Sequence, residues 1–347
     1  MPAEELDDFK TTENILSVYP PILLSLGLIG NILSVVVLSQ AHNRKTSTGV
    51  SLIFLAVTDS LILINSVFVR WLDHLFNVDF RNYSTGSCKF SVFFTYLSLQ
   101  LSGWILVFVT TERVFSVLYP LRVRDIFTRR RVLIILFLLV LFLSGLNAHL
   151  IYGYQLKFNE YFESLRCEVI PEHEEFMFKF WTWIDFAFAF AIPFCVLLTG
   201  NVAIIIKLKS SRNFRERSTI PLENGSQLRG GSTFRRERST TFEFTITAII
   251  LNVTFAILVS PFSIFAIGQP YWFPNDTMTP ERHAKLVLIG TILLMILYTN
   301  NAINFVLYVL CGSKFRRDFI NLFCCSNKRR QTISSNRTIN SLSTISS

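Results

Sequence analysis

Polar side chains set inside long apolar stretches are where the chemistry of this sequence is most constrained, because each is costly to bury and must face a partner. Asp59 follows Leu55-Ala56-Val57-Thr58, Ser102 lies in a second such stretch, Asn300, Asn301 and Asn304 share a third, and Asn31 follows Gly30 in a fourth. Asn300 and Asn304 are one helical turn apart and converge on one side of a helix. A carboxylate among hydroxyl and amide neighbours suits a small hard cation, sodium or a proton, held by oxygen atoms. The same groups also serve as hydrogen-bonding glue between helices, and residue type alone leaves both readings open. A second constellation, Glu112-Arg113, closes an apolar stretch and precedes Tyr119-Pro120 and a basic run. Such a pair is either a snorkelling couple at a boundary or a working one. Enzyme signatures are missing: the chain has no His-Glu-x-x-His, no Gly-rich phosphate loop before Lys-Ser/Thr and no Gly-x-Ser-x-Gly elbow. The run Glu172-His173-Glu174-Glu175 has ligand-type side chains but no second cluster, so no metal centre is expected.

The elements that must position these groups follow from composition. The 347 residues are 51% hydrophobic and only 16% charged, with 34 Phe, more apolar surface than a soluble chain of this length holds. Windows of the ~20 apolar residues needed to cross a bilayer recur near 17–40, 50–72, 90–118, 131–154, 180–207, 241–269 and 283–311. The fold class is therefore an all-α membrane protein, a seven-transmembrane helix bundle. At 1.5 Å per residue, about 37 Å of helix separates Cys88 from Arg113, so one helix joins the two sides.

Charge fixes the expected orientation. Lys and Arg crowd 41–49 (Arg44, Lys45), 119–131, 207–240 and 312–347, whereas the alternate segments carry Glu4, Glu5, Asp7, Asp8, Glu13 and the run Glu160 to Glu175. Under the positive-inside rule the N-terminus (1–16) is extracellular and the C-terminus cytoplasmic. The polar, acidic start predicts no cleavable signal. The bundle occupies 17–311 and includes a mobile cytoplasmic loop, 208–240; an amphipathic cytoplasmic helix, 312–325, and a disordered cytoplasmic tail, 326–347, follow. The net charge of +9 is thus a membrane-orientation signal rather than one for nucleic acid, and no nucleic-acid partner is expected. Cys88 and Cys167 are the two cysteines on the oxidising side and can pair. Cys324 and Cys325 beside the interfacial helix read as palmitoylation sites, and Cys195 and Cys311 as buried packing residues. Sequons at Asn82 and Asn275 fall outside and are glycosylation sites; the match at Asn252 lies within a span and should be silent. Pro193 and Pro261 mark bending points in the fifth and sixth spans.

Gly30-Asn31, Leu55-Ala56-x-x-Asp59, Cys88, Glu112-Arg113, Cys167, Pro193, Phe255 with Pro261-Phe262, Asn304-x-x-x-Tyr308 and Phe315 stand in an order and spacing that resembles the rhodopsin-like (class A) G-protein-coupled receptors. The resemblance covers about residues 15–325, and within the family it is nearest to invertebrate neuropeptide receptors of the FMRFamide-receptor-like kind. It implies a Cys88–Cys167 disulfide, and a sodium-like pocket of Asp59, Ser102, Asn300, Asn301 and Asn304 for an allosteric Na+, with no other cofactor. It further implies a G-protein-facing lock at Glu112 and Arg113, and inward movement of Tyr308 on activation. Five positions depart from the pattern: Val114 follows Arg113, the fourth span has no Trp, Val259-Ser260-Pro261 lacks the aromatic toggle, Phe305 stands in place of Pro, and Asn201 in place of Tyr. Phe255 and Phe262 then become the expected switch residues.

Thr95 stands where amine receptors carry Asp, and Tyr298 where opsins carry the retinal-binding Lys, which disfavours amines and retinal; Thr95, Tyr96 and Tyr298 are the ligand-pocket candidates. Acidic outer segments, with Glu172, Glu174 and Glu175 as steering candidates, favour a cationic peptide. The expected function is a non-enzymatic receptor for an extracellular neuropeptide that activates a heterotrimeric G protein. Receptor kinases and arrestin would act on the Ser/Thr-rich tail, and the lipid bilayer is the remaining partner. The alternatives are an ion-coupled secondary transporter or channel with Asp59 as ion site, which would show internal repeats, and an intramembrane enzyme, which lacks a nucleophile and base.

Overall fold

The computed structural model describes residues 3–40, 43, 46–159, 164–217, 231–274 and 278–322. Seven of its helices are long and apolar enough to cross a membrane. We label them α1 (Ala3–Leu38), α2 (Ser47–Phe76), α3 (Thr85–Leu118), α4 (Arg129–Gly153), α5 (Pro171–Ser210), α6 (Gly231–Trp272) and α7 (Pro280–Cys311). An eighth helix, α8, covers residues 313–322.

Local chemistry sets the helix ends. Ser84 and Ser87 cap α3 reciprocally, each hydroxyl accepting the other's backbone N–H, the capping-box arrangement. Thr46 caps α2 by accepting from the Gly49 N–H, and Thr279 caps α7 ahead of Pro280. Asn77, at φ 54°, ends α2 in the left-handed conformation that Asn tolerates. Large apolar side chains such as Leu133, Phe137, Leu141 and Phe142 of α4 are exposed, while Asn31, Asp59, Gln100 and Asn301 are buried. This inside-out distribution suits hydrocarbon, which solvates leucine and rejects amides. Small residues draw the helices together: a Cβ on Gly27 would lie 2.4 Å from Leu63 Cδ1 of α2, and one on Gly30 would lie 2.9 Å from Phe305 Cβ of α7.

Three expectations need correction. The chain is not purely helical: strands β1 (Tyr154–Asn159) and β2 (Ser164–Val169) form an antiparallel hairpin with Leu156 opposite Cys167. Strand β2 falls in the run that reads as an acidic loop by charge, β1 starts where the fourth span was expected to end, and each is too short for its alternation to stand out. The fourth span, expected to reach 154, breaks after Asn147 and resumes as a single turn, Leu150–Gly153, because β1 takes over at Tyr154. The acidic run Glu172 to Glu175 is no loop; it is the first turn of α5, where Pro171 pre-sets the helix and carboxylates meet its positive end.

Boundaries shift as well. Helix α1 starts at Ala3, ahead of the span expected from 17, and the helical ladder of α5 continues to Arg217 while α6 begins at Gly231. Much of the expected loop 208–240 is therefore helical, and its centre, 218–230, lies outside the described residues. Arg44, Lys45, Asn275, Cys324, Cys325 and the tail also lie outside them. Cys195 is exposed and Cys311 partly so, against the expected burial of both. The chain runs helically through Pro193 and Pro261.

Among the described residues, α2 and α5 also depart from the regular α-helix. Residues Leu63–Phe68 of α2, and Phe176–Trp181 and Ala187–Ala191 of α5, are π-helical. Each π turn widens the ladder by one residue and rotates what lies beyond it by about 100° relative to a straight α-helix.

Candidate functional site

A cavity of about 470 Å³ opens between the helices at the hairpin end of the bundle. The ligand-pocket candidates Thr95, Tyr96 and Tyr298 all line it, as do Phe255 and Phe262. The Cys88–Cys167 disulfide ties β2 to the start of α3 and holds the hairpin at this end, with Cys167 in the cavity wall. The Asn82 amide oxygen accepts the Cys167 N–H at 2.8 Å, and its Nδ2 donates to Asp79 at 3.1 Å. Tyr154 of the hairpin also lines the cavity, and burial pushes its phenol above the ordinary range. Glu172, Glu174 and Glu175 are exposed on the first turn of α5, outside the lining, and Glu175 pairs with Lys179 at 2.8 Å.

Ser102, Asn300 and Asn301 line the same cavity, and two of them belong to the cluster around Asp59. Asp59 is fully enclosed; its Oδ1 accepts from Ser102 Oγ and Asn301 Nδ2, each at 2.8 Å, and its Oδ2 from Asn304 Nδ2 at 2.7 Å. Four of the five expected pocket residues thus meet, drawn from α2, α3 and α7. The fifth, Asn300, is buried but has no bond to Asp59 among the described contacts. Asn31 of α1 donates to the Asn301 carbonyl at 3.2 Å and braces the cluster. The oxygens of Asp59, Ser102 and the two amides form a hard donor set that fits Na+ if the amides turn their oxygens inward. As placed, the amide N–H groups satisfy the carboxylate themselves.

At the other end, Glu112 Oε1 accepts from Ser47 Oγ and Thr48 Oγ1, both at 2.6 Å, and from Arg113 Nη2 at 2.8 Å; Arg113 also donates to Thr48. Glu112 and Arg113 are only 3% and 5% exposed, so each charge depends on the other and on the first turn of α2. Tyr308 packs on Phe315 of α8 with ring centroids 5.3 Å apart, and its buried hydroxyl has no partner among the described residues. Glu243 of α6 accepts the Lys314 N–H at 3.1 Å, linking α6 to α8, where burial pulls the Lys314 ammonium below its usual range.

Between the two ends, Phe255 is 2% exposed; a Cβ on Gly103 would lie 3.3 Å from its ring, and the ring stacks near Phe190 of α5. Phe255 therefore touches both the cavity and the packed interior, which Phe262, half-buried in the lining, also borders.

Sequence reasoning passed over two buried polar networks. Asn252 Nδ2 donates to Thr110 Oγ1 and Asn201 Oδ1, both at 2.8 Å, clamping α6 to α3 and α5. In the sequence Asn252 stands out only as a silent sequon, and Asn201 only as a departure from Tyr. Gln100 Nε2 donates to Asp185 Oδ1 at 2.8 Å while Asn147 Nδ2 donates to Gln100 Oε1 at 2.7 Å, joining α5, α3 and α4. The π turns on either side of Asp185 hide its phase, so periodicity in the sequence does not show which way it faces. The signal available was the polarity of Gln100 and Asn147, each inside an apolar span.

The fold agrees with the comparisons. The family described as 7 transmembrane receptor (rhodopsin family) matches residues 30–308. Thyrotropin-releasing hormone receptors of Ovis aries and Homo sapiens are 22% identical to this chain over 317 residues, covering 88% of it and 77% of each receptor. A galanin-like G-protein coupled receptor of Caenorhabditis elegans is 24% identical over 343 residues, covering 90% of this chain and 76% of that one. With most of its length matched, and with a seven-helix bundle, a tethered hairpin and an enclosed Asp59 cluster in place, the chain belongs to the rhodopsin family of seven-transmembrane receptors, multi-pass G-protein-coupled receptors of the plasma membrane that are not enzymes.

Proposed function

We propose that this receptor binds an extracellular neuropeptide, of the amidated FMRFamide-like kind, and passes the signal to a heterotrimeric G protein beneath Arg113. The observation that carries this reading is the continuity of the cavity with the Asp59 cluster through Ser102 and Asn301. A ligand seated among Tyr96, Tyr298 and Phe262 lies in the same space as the groups that hold Asp59, so binding can shift the helix equilibrium. The names of the relatives, receptors for thyrotropin-releasing hormone or galanin-like, support a peptide. Exposed Glu172, Glu174 and Glu175 would steer a cationic ligand by long-range attraction, which requires no place in the lining. The basic runs support an orientation with the hairpin end outside and α8 in the cytoplasm, lying on the membrane as an amphipathic helix with Phe315, Phe319 and Leu322 inward and Arg316 and Arg317 exposed.

Activation would release Arg113 from Glu112 and Thr48, and Tyr308 would turn inward to give its orphaned hydroxyl a partner. Sodium at Asp59 would favour the closed arrangement. Kinase and arrestin action on the tail, palmitoylation at Cys324 and Cys325, and glycosylation at Asn82 and Asn275 complete the reading. Asn82 is compatible with a glycan, since its Nδ2 uses one hydrogen on Asp79 and retains a second. The test is a peptide-library screen on cells expressing the receptor, read through a promiscuous G-protein reporter. An active peptide should lose all stimulated nucleotide exchange in Arg113→Ala while its binding is retained; exchange unaltered by that change would remove Arg113 from the mechanism.

A further inference from the structure

We infer that the cavity is built for a bipolar ligand segment, with a cationic side chain received by Asp185 and a carbonyl or carboxylate group received by Arg70. This rests on the peptide-receptor reading and specifies what the peptide must present.

Two charged residues of the spans line the cavity, and they come from different helices, α2 and α5, that both pack on α3. Asp185 holds Gln100 with Oδ1 alone, and it is incompletely covered because it faces the cavity. Gln100 and Asn147 behind it are 0% exposed: Gln100 holds the carboxylate, and Asn147 braces Gln100 while also donating to the Leu143 carbonyl, so two buried amides fix the direction of Asp185. Arg70 lines the cavity too, and its buried Nε has no partner among the described residues. The other arginines at this end are engaged: Arg81 bonds Asp79 through Nε and Nη2, and Arg166 lies 3.9 Å from Asp73. Arg70 is left to the occupant. A guanidinium with a buried, unmet N–H seeks an oxygen acceptor, and a carboxylate aimed into a cavity seeks a cation.

Thr95, the third-helix position that could have competed for the cation, is occupied: it donates to the Ser91 carbonyl at 2.9 Å and accepts from Asn65 at 2.8 Å. The π turn at Leu63–Phe68 precedes the segment that carries Arg70, and those at Phe176–Trp181 and Ala187–Ala191 flank Asp185. Local rewinding of both helices is what sets the direction of the two charges. Tyr96, Trp181, Phe186 and Tyr298 in the same lining supply aromatic walls for an apolar side chain between them.

Thermal unfolding of the purified full-length receptor with four probes tests this: N-acetyl-Arg-Phe as the amide and as the free acid, the citrulline analogue of the amide, and phenethylguanidine. Both Arg dipeptides and phenethylguanidine should stabilise the wild type, with the neutral citrulline analogue at least about tenfold weaker. Asp185→Asn keeps an acceptor for Gln100 and should retain the unliganded unfolding temperature while losing about tenfold or more in affinity for every cationic probe. Arg70→Gln should weaken the dipeptides, the free acid most, and leave phenethylguanidine unchanged. Equal binding of arginine and citrulline probes, full binding to Asp185→Asn, or no stabilisation of the wild type by any probe overturns the inference. If peptides signal yet Asp185→Asn responds normally, the polarity fails and the receptor reading stands. If the probes bind as expected yet no peptide signals, the polarity is upheld and the peptide-receptor reading fails.

Discussion

Arg113 brings a full charge to a place where only 5% of its surface is exposed, and it is held there by Glu112 next to it in sequence and by Thr48 of α2. Removing one member of a buried pair strands the other at a cost of about 3–5 kcal/mol. Glu112→Gln should therefore lower the unfolding temperature and raise basal nucleotide exchange together, because Arg113 loses the partner that keeps it closed; guanine-nucleotide loading without ligand measures this. Asp59 presents the complementary case, a carboxylate met by three donors from two other helices. Asp59→Asn should abolish any dependence of ligand affinity on sodium concentration while leaving the fold, since the amide can still bond Ser102. Titrating NaCl against choline chloride separates this from general ionic strength, and an undiminished sodium effect would remove Asp59 as its site.

At the scale of elements, α6 is held to the bundle at the Arg113 end by polar contacts from two of its positions. The described contacts tie α6 inward through Asn252 on Thr110 and Asn201, and through Glu243 on the first turn of α8. Asn201 in place of Tyr belongs to that clamp: a short amide reaches Asn252 on the neighbouring helix. Asn252→Leu leaves the Thr110 and Asn201 groups without their partner, a cost of about 1–3 kcal/mol each before relaxation. Basal signalling should rise several-fold in reporter cells, and Thr110→Val with it, while ligand affinity at the far cavity changes little. A basal level equal to that of the wild type in both would show that the clamp is packing alone.

For the whole molecule, the segregation of charge predicts an orientation. An epitope tag placed before residue 3 should be stained on intact cells and one after residue 347 only after permeabilisation. The reverse pattern would place the cavity in the cytoplasm and end the ligand reading. The hairpin, disulfide and Asn82 contact all cluster at the cavity end, and α8 with Glu243 at the other, so the two ends are built as different surfaces joined by α3, 34 residues and about 51 Å long.

Seven helices were legible in the sequence because hydrocarbon imposes one requirement on every span, about 20 apolar residues with internally satisfied backbone, and that requirement is local. The Cys88–Cys167 pair was legible because those two cysteines alone fall on the expected oxidising side, and the Asp59, Ser102, Asn301 and Asn304 cluster because polar residues inside apolar spans stand out and the family resemblance groups them. Tertiary structure alone decided that Asn300 faces the cavity instead of Asp59, that Glu172 to Glu175 start a helix, and that Asp185 and Arg70 point into the same cavity. Those outcomes depend on rotation about helix axes and on which helices touch. A π turn changes rotation by about 100° with no mark in composition, so depth along the membrane was written in the sequence, while azimuth was settled by packing.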